Sequence, residues 1–373
     1  MEKINSTLLE QLTGIHTQPC ISLYMPTHRV HPESATDPIR FKNLVKKIQH
    51  YITENTMAAY QPLLEPIENV QDDLAFWNNN DCGLAILVSQ ENTHIIRLPE
   101  PVEEVVYVAE SFYVKPLFKF NEYNMPYYLL AIAQDSVKFY SGDKYRLTEV
   151  DIKGKIPTHM TEALGEELTN DHTHAASAPN TGVHGYMEKS QEVGIDTERF
   201  FRSVDQALNS HFEFSPTRPL ILAALAEHHT VYKHVSKNHY LSEHMITINA
   251  SALTTKELLR EVREVIDLEH SKKIESLLNR QRIAVREKLS SHELLDVVYD
   301  AIDGKIEILF LEDEKIISGN IDVENRKAQL KDDENTDILN ELAYLVHQRG
   351  GEIILLDKED MPYDSGVFTI NRF

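Results

Sequence analysis

Polar residues, histidine and glycine are concentrated in one stretch near the middle of the chain, residues 165–192. The stretch has no apolar periodicity, and its histidines could do chemistry: His172 and His174 form a His-x-His pair, and His184 precedes Gly185. A neutral imidazole can act as a general base near pH 7 or bind a metal ion. Polar excursions of this length within a compact domain are usually functional or disordered. We interpret residues 165–192 as a functional arm.

The spacing of the histidines does not favour a metal site. Zinc takes three or four ligands, and the chain has neither a His-x₃-His nor a Cys-x₂-Cys pair on regular structure. His172 and His174 would need His159, His184 or Glu166 to complete a site. The sequence therefore predicts no metal. We interpret five further histidines as surface residues: His228, His229, His234, His239 and His244.

Signatures of other chemistry are missing as well. The chain has no Gly-x-Ser-x-Gly, no phosphate loop ending in Gly-Lys-Ser/Thr and no dinucleotide fingerprint, so no cofactor is predicted. Its two cysteines, Cys20 and Cys82, favour a reduced cytoplasmic setting. No apolar run approaches the roughly 20 residues that span a bilayer, so we expect a soluble protein. Enzyme activity stays open, because catalytic residues can be distant in sequence.

The net charge of −22 argues against general binding to nucleic acid, which needs basic surfaces to neutralise phosphates. One segment is a local exception. Asp37-Pro38 signals a helix start, and apolar residues recur behind it with a period near 3.6. Basic residues occupy the other faces of this helix and the loop before it: His28, Arg29, His31, Arg40, Lys42, Lys46 and Lys47. An ordinary solvated helix face and an RNA-phosphate patch both stay open.

Helices and strands alternate along the chain, which predicts an α/β fold in layers. We expect three domains: residues 1–125, 126–268 with the arm, and 269–373. In the first domain the patterns predict a short helix, a strand at 20–25, the helix at Asp37, a helix at about 56–77, strands at 83–89 and 93–98, and strand-like pieces within 105–120.

The sequence predicts layers of helices and strands in the second and third domains as well. For the second, the patterns predict a β-meander at 128–133, 136–140 and 147–152, a helix at 197–208, and strands at 220–225 and 246–248. A charged helix at 255–289 then bridges to a small αβα unit, in which residues 312–335 form an irregular acidic stretch.

Several segments resemble a known family. They are ISLYMPTHR at 21–29, DPIRFKNLVKKI at 37–48, FFRSVDQAL at 200–208, DILNELAYLVHQRGGEIILL at 337–356 and MPYDSGVFTINRF at 361–373. On these segments the chain resembles bacterial proteins related to the archaeo-eukaryotic peptide-chain release factor and Pelota. The resemblance implies a three-domain architecture of that kind, with a central ribonuclease-H-like α/β domain and a carboxy-terminal αβα domain like a ribosomal protein.

The resemblance also implies a cytoplasmic partner, the ribosome, bound at its A site near the decoding and peptidyl-transferase centres. It leaves a translational GTPase open as a second partner and implies no membrane or DNA. The residues implied in ribosomal RNA binding are His28, Arg29, Arg40, Lys42, Lys46 and Lys47 in the first domain and His172, His174, His184, Gly185, Tyr186 and Lys189 in the arm.

One departure from the family bears on catalysis. In release factors the arm ends in Gly-Gly-Gln, which positions water for ester hydrolysis, whereas this chain has no Gly-Gly-Gln. Gly350-Gly351 is followed by Glu352 and is typical of a turn. The resemblance therefore predicts a factor for ribosome rescue or hibernation that does not hydrolyse peptidyl-tRNA. Two alternatives stay open: an ester hydrolase that uses arm histidines such as His184, and a non-ribosomal protein-binding adaptor.

Overall fold

The structure is a computed structural model that describes residues 4, 6–78, 80, 82–123, 125–165, 184–331, 333 and 335–373. The chain forms two compact units. Unit 1 joins residues 1–123 to residues 275–373, and unit 2 is residues 124–274. The protein is a mixed α/β protein with several sheets, which confirms the predicted fold class at that level. The division into three domains and their identities stay predictions; most of the first and third fall together in unit 1.

The amino-terminal part of unit 1 is an antiparallel sheet with helices packed on one face. Its strand order is β3-β2-β1-β4. On β1, Ile21, Leu23 and Met25 pack in the same core as α2, because alternate side chains of a strand point to one face. The elements are α1 Ser6–Thr13, β1 His16–Pro26, α2 Asp37–Glu54, α3 Leu64–Gln71, α4 Leu74–Trp77, β2 Gly83–Ser89, β3 Thr93–Leu98, β4 Val105–Ser111 and α5 Lys115–Tyr123.

One predicted element in this part is wrong, and another is confirmed only in its first half. The helix expected at 56–77 is a 3₁₀ segment, Ala58–Leu63, followed by α3 and α4. Pro62 lies inside the 3₁₀ segment and has no N–H for a continuous α-helix, and α4 restarts where Asp73 accepts the N–H of Phe76. The strand-like pieces in 105–120 are β4 and then α5, whose first turn contains Pro116, a favourable place for proline.

Unit 2 is a five-stranded sheet covered on both faces. Strands β7-β6-β5-β8-β9 follow in that order, and the first three form the predicted meander. Phe201 on α7 packs in the core on one face, and Leu258 on α9 packs in the core on the other. The elements are β5 Tyr127–Ile132, β6 Val137–Gly142, β7 Leu147–Glu149, α6 Met160–Leu164, α7 His184–His211, β8 Leu220–Ala224, α8 Ala226–Val235, β9 Ile246–Thr247 and α9 Thr255–Glu287, which continues into unit 1. Among the described residues, no helix has the length and apolarity to span a membrane.

The carboxy-terminal part of unit 1 has its own sheet, in which β10 lies parallel to β13 and antiparallel to β14. The stretch predicted to be irregular contains the hairpin β11–β12, so that prediction is wrong. The hairpin turn uses Arg326 at a φ of 55° and the side chain of Asp322, which accepts the N–H of Asn325. The elements are α10 Leu294–Ile302, β10 Ile306–Glu312, β11 Gly319–Asp322, β12 Lys327–Leu330, α11 Ile338–Gln348, β13 Glu352–Leu356 and β14 Val367–Asn371.

Buried polar side chains join the two parts of unit 1. Asn340, fully buried, accepts the N–H of Val114 at 2.8 Å and donates to the carbonyl of Phe112 at 3.0 Å. Lys115 and Asp337, each with a side chain 1% exposed, form an ion pair with 3.5 Å between Nζ and Oδ2. We call these five residues the buried junction. Because each buried polar group needs its own partner, the junction holds the two parts in one arrangement.

Glu341 on α11 links the stability of unit 1 to pH. It accepts the N–H of Ile321 on β11, and burial raises the pKa of its carboxyl from 4.5 to about 7. The folded state therefore holds this proton more tightly than the unfolded chain does. The stability that this gives is fully present below pH 4.5 and is lost as pH rises through about 7.

We therefore expect Glu341→Gln, which keeps an oxygen acceptor, to raise the free energy of unfolding of unit 1 by about 1–3 kcal/mol at pH 8 and by little at pH 4. Trp77 is the only tryptophan of the chain and lies in unit 1, so urea unfolding followed by its fluorescence measures this unit. An equal effect of the substitution at both pH values would contradict the prediction.

Candidate nucleic-acid interface

Helix α2 has a buried apolar side and an exposed basic side. Phe41, Val45 and Ile48 are buried in the core under the sheet, which confirms the apolar period predicted from the sequence. No acidic residue occurs between positions 38 and 53. The cations that α2 presents outside the core are Arg40, half-buried, and Lys42, Lys46 and Lys47, exposed. The outer side of this helix therefore carries four cations and, between positions 38 and 53, no acidic residue.

One buried carboxylate holds the loop before α2. Asp37, 1% exposed, accepts the backbone N–H of His28 at 2.7 Å, and its other oxygen lies 2.8 Å from His28 Nδ1. These two contacts bring His28 and the exposed Arg29 beside the start of α2. The structure thus brings six predicted residues to one surface, which we call the basic face: His28, Arg29, Arg40, Lys42, Lys46 and Lys47.

Arg40, like His28, already has an acidic neighbour. Its Nε lies 3.1 Å from Glu104 Oε1, and the two side chains are 34% and 40% exposed. This pair could not be predicted from the sequence, because Glu104 precedes β4 in a different segment. An ion pair this exposed contributes about 0–1 kcal/mol and can be exchanged for a phosphate. The three lysines therefore supply most of the positive charge with which the basic face can bind phosphates.

The structure describes only some of the predicted arm residues, and only their backbone. His172 and His174 lie outside the described residues. His184, Gly185, Tyr186 and Lys189 belong to the first turns of α7, but their side chains lie outside the described part of the chain. The helix predicted at 197–208 is the later part of α7. The roles assigned to the arm stay predictions.

Two histidines interpreted as surface residues are buried instead: His228 is 7% and His229 is 8% exposed. Helix α8, which the sequence analysis missed, directs them inward together with Tyr232. His229 Nε2 lies 2.9 Å from the carbonyl of Ala224 and 3.0 Å from that of Ile246, so it ties β8 to β9. The missed signal was the helical spacing of His228, Tyr232 and further apolar residues. These histidines serve the core of unit 2.

Elsewhere in the described residues, neither metal ligands nor a cavity provides a stronger candidate site. No group of three or more His, Cys, Asp or Glu side chains in them is placed to hold a metal ion. Unit 2 has a cavity of about 550 Å³ beside β6, whose lining includes Lys138, Lys153, Glu149 and Asp151. Because this lining carries both signs of charge, it does not select a ligand charge. The basic face is the stronger candidate site.

A protein-family model matches residues 125–268, and its description is Bacterial archaeo-eukaryotic release factor family 6. The match covers the sheet of unit 2 and the segment 200–208 on which the resemblance partly rests. It confirms the resemblance to that release-factor family over this part of the chain. The segments 21–48 and 337–373 lie outside the matched range.

Solved structures similar to this chain include three translation-related proteins. They are an archaeal translation termination factor, aRF1 (14% identity, 100% of both chains, TM-score 0.24), S. cerevisiae Dom34, described as a translation termination-like factor interacting with Hbs1 (11% identity, 78% of this chain and 86% of that one, TM-score 0.39), and a model of ribosome-bound archaeal Pelota and ABCE1 (10% identity, 100% and 95%, TM-score 0.36). TM-scores this low carry no argument about residues or partners. No curated protein matches the chain.

Proposed function

We propose that this protein is a ribosome-associated translation factor that binds the A site with its basic face, in ribosome rescue or hibernation. The observation that carries the proposal is the cluster of four cations on the outer side of α2, where no acidic residue occurs between positions 38 and 53, in a chain of net charge −22. Local lysines can neutralise phosphates, while the acidic remainder disfavours non-specific nucleic acid. The family match over residues 125–268 supports a role in translation.

Under this proposal the protein acts in the cytoplasm, and ribosomal RNA is its partner. The first part of the chain faces the decoding centre, and unit 2 faces the peptidyl-transferase centre with its arm. The arm residues in contact with RNA are His172, His174, His184, Gly185, Tyr186 and Lys189. A translational GTPase that delivers the protein is compatible with this arrangement.

Competition with transfer RNA tests the choice of the A site. We expect the protein to bind bacterial ribosomes whose A site is empty and to be displaced when that site is filled with transfer RNA. Filling only the P site is the matched control, since it leaves the A site open. Binding that is indifferent to A-site transfer RNA would overturn the assignment of this site, while leaving ribosome association intact.

We also expect the bound protein not to release peptide. Hydrolysis by release factors depends on Gly-Gly-Gln, and this chain lacks that tripeptide. Ribosomes carrying labelled peptidyl-tRNA should therefore lose label in the presence of the protein no faster than in buffer, with a peptide-release factor as positive control. Rapid release that His184→Ala abolishes would instead support the alternative of an ester hydrolase that uses arm histidines.

A further inference from the structure

Two aliphatic side chains near the basic face are exposed to solvent. Val30 is 69% exposed and Ile39 is 64% exposed. Val30 follows His28 by two residues and Ile39 follows Asp37 by two, so the His28–Asp37 contacts hold both near the start of α2. Single exposed aliphatic residues are ordinary. Two of them near the start of α2 provide apolar area that a phosphate alone does not use.

Ile39 also stands in line with the lysines. Ile39, Lys42, Lys46 and His50 are all exposed, and their spacing of three, four and four residues places them on one stripe of the helix. With a rise of about 1.5 Å per residue, Lys42 lies roughly 5 Å and Lys46 roughly 10 Å along the axis from Ile39. The stripe therefore runs from an apolar start to a cationic middle.

An apolar side chain followed by two lysines can bind a nucleic acid in which two neighbouring bases are unstacked. Proteins that insert apolar side chains between bases place them beside basic residues that hold the backbone. In continuous duplex RNA the base faces are covered, so Ile39 and Val30 would find only phosphates and water. Loops and bulges of folded RNA present unstacked bases. The combination of charge and apolar area thus fits irregular RNA better than duplex RNA.

We propose, building on the proposed function, that the stripe binds RNA at an irregular position. Lys42 and Lys46 contact the phosphates, and Ile39 together with Val30 covers the face of an unstacked base. The first two residues supply the dependence of binding on salt, and the second two supply the preference for a bulge or loop over a duplex.

Two short RNA hairpins test the proposal, one fully paired and one with a single bulged 2-aminopurine. We expect the full-length protein to bind the bulged hairpin about tenfold more tightly and to change the fluorescence of its 2-aminopurine. Val30→Ser with Ile39→Ser should remove this preference while leaving affinity for the paired hairpin and its salt dependence unchanged. Lys42→Ala with Lys46→Ala should weaken binding to both hairpins and reduce the salt dependence.

The matched control is Leu268→Ser with Ile283→Ser, two similarly exposed aliphatic residues on α9. This control should leave both affinities unchanged, and Trp77 fluorescence reports whether unit 1 is folded in the variants changed there. Equal affinity for the two hairpins, an unchanged preference in the Val30/Ile39 variant, or no binding to either hairpin each overturns the inference. Co-sedimentation with ribosomes, measured in parallel, decides the proposed function separately.

Discussion

We expect Asp337→Ala to destabilise unit 1 by about 3–5 kcal/mol, because it removes the carboxylate that pairs with the buried ammonium group of Lys115. Asp337 also accepts the N–H groups of Leu339 and Ile317 at 3.0 and 3.1 Å, so its loss removes the amino-terminal cap of α11. Urea unfolding followed by the fluorescence of Trp77 measures this effect in unit 1. A loss below about 1 kcal/mol would show that the ion pair does not hold the two parts of unit 1 together.

A double variant separates charge from capping. Lys115→Met with Asp337→Asn removes both charges and keeps an oxygen acceptor at the cap. We expect it to be more stable than Asp337→Ala by about 2 kcal/mol or more, because replacing a whole buried pair costs less than breaking it. A double variant as unstable as Asp337→Ala would assign the effect to the cap and the packing around it.

Replacing Lys42, Lys46 and Lys47 together by alanine weakens binding to ribosomes by about 10- to 100-fold at low salt, since each lost lysine removes one phosphate contact. The dependence of binding on salt should fall as well, by roughly two to three in the slope of log affinity against log salt. Titration of labelled protein with ribosomes at several salt concentrations measures both quantities. Unchanged affinity and slope would show that the basic face does not bind the ribosome.

The control for this variant changes charge equally elsewhere. Lys138, Lys153 and Lys155 are exposed lysines of unit 2, and their replacement by alanine gives the same net charge. We expect this control to bind ribosomes within about twofold of the original protein. A loss as large as that of the α2 variant would mean that net charge, and not the basic face, governs binding.

Local patterns in the sequence predicted the elements that carry the basic face. Asp37-Pro38 marked the start of α2, and the period of Phe41, Val45 and Ile48 marked its buried side. The contacts that position the loop and partly neutralise Arg40 could not be predicted, since they join His28 to Asp37 and Arg40 to Glu104 across tertiary structure. The residue types show which side chains could form ion pairs or hydrogen bonds, and the fold determines which of these contacts form.

The buried junction shows the same limit in the core. Asn340 lies among apolar residues of α11, and a polar residue there is stable only because the backbone of Phe112 and Val114 supplies its partners. Helix α8 was missed because its buried side includes His228 and His229, and polar residues at these positions hide the apolar period of the helix. The hairpin β11–β12 was missed because its two strands of four residues each show no apolar alternation.

Co-sedimentation of the purified protein with vacant bacterial ribosomes is the most direct test of the proposed ribosome binding. The gradients are run at about 50 mM and about 200 mM salt, where contacts with phosphates differ strongly in strength. We expect the protein to migrate with the ribosomes at the lower concentration and to dissociate partly at the higher one. Protein that stays at the top of both gradients would contradict binding to vacant ribosomes.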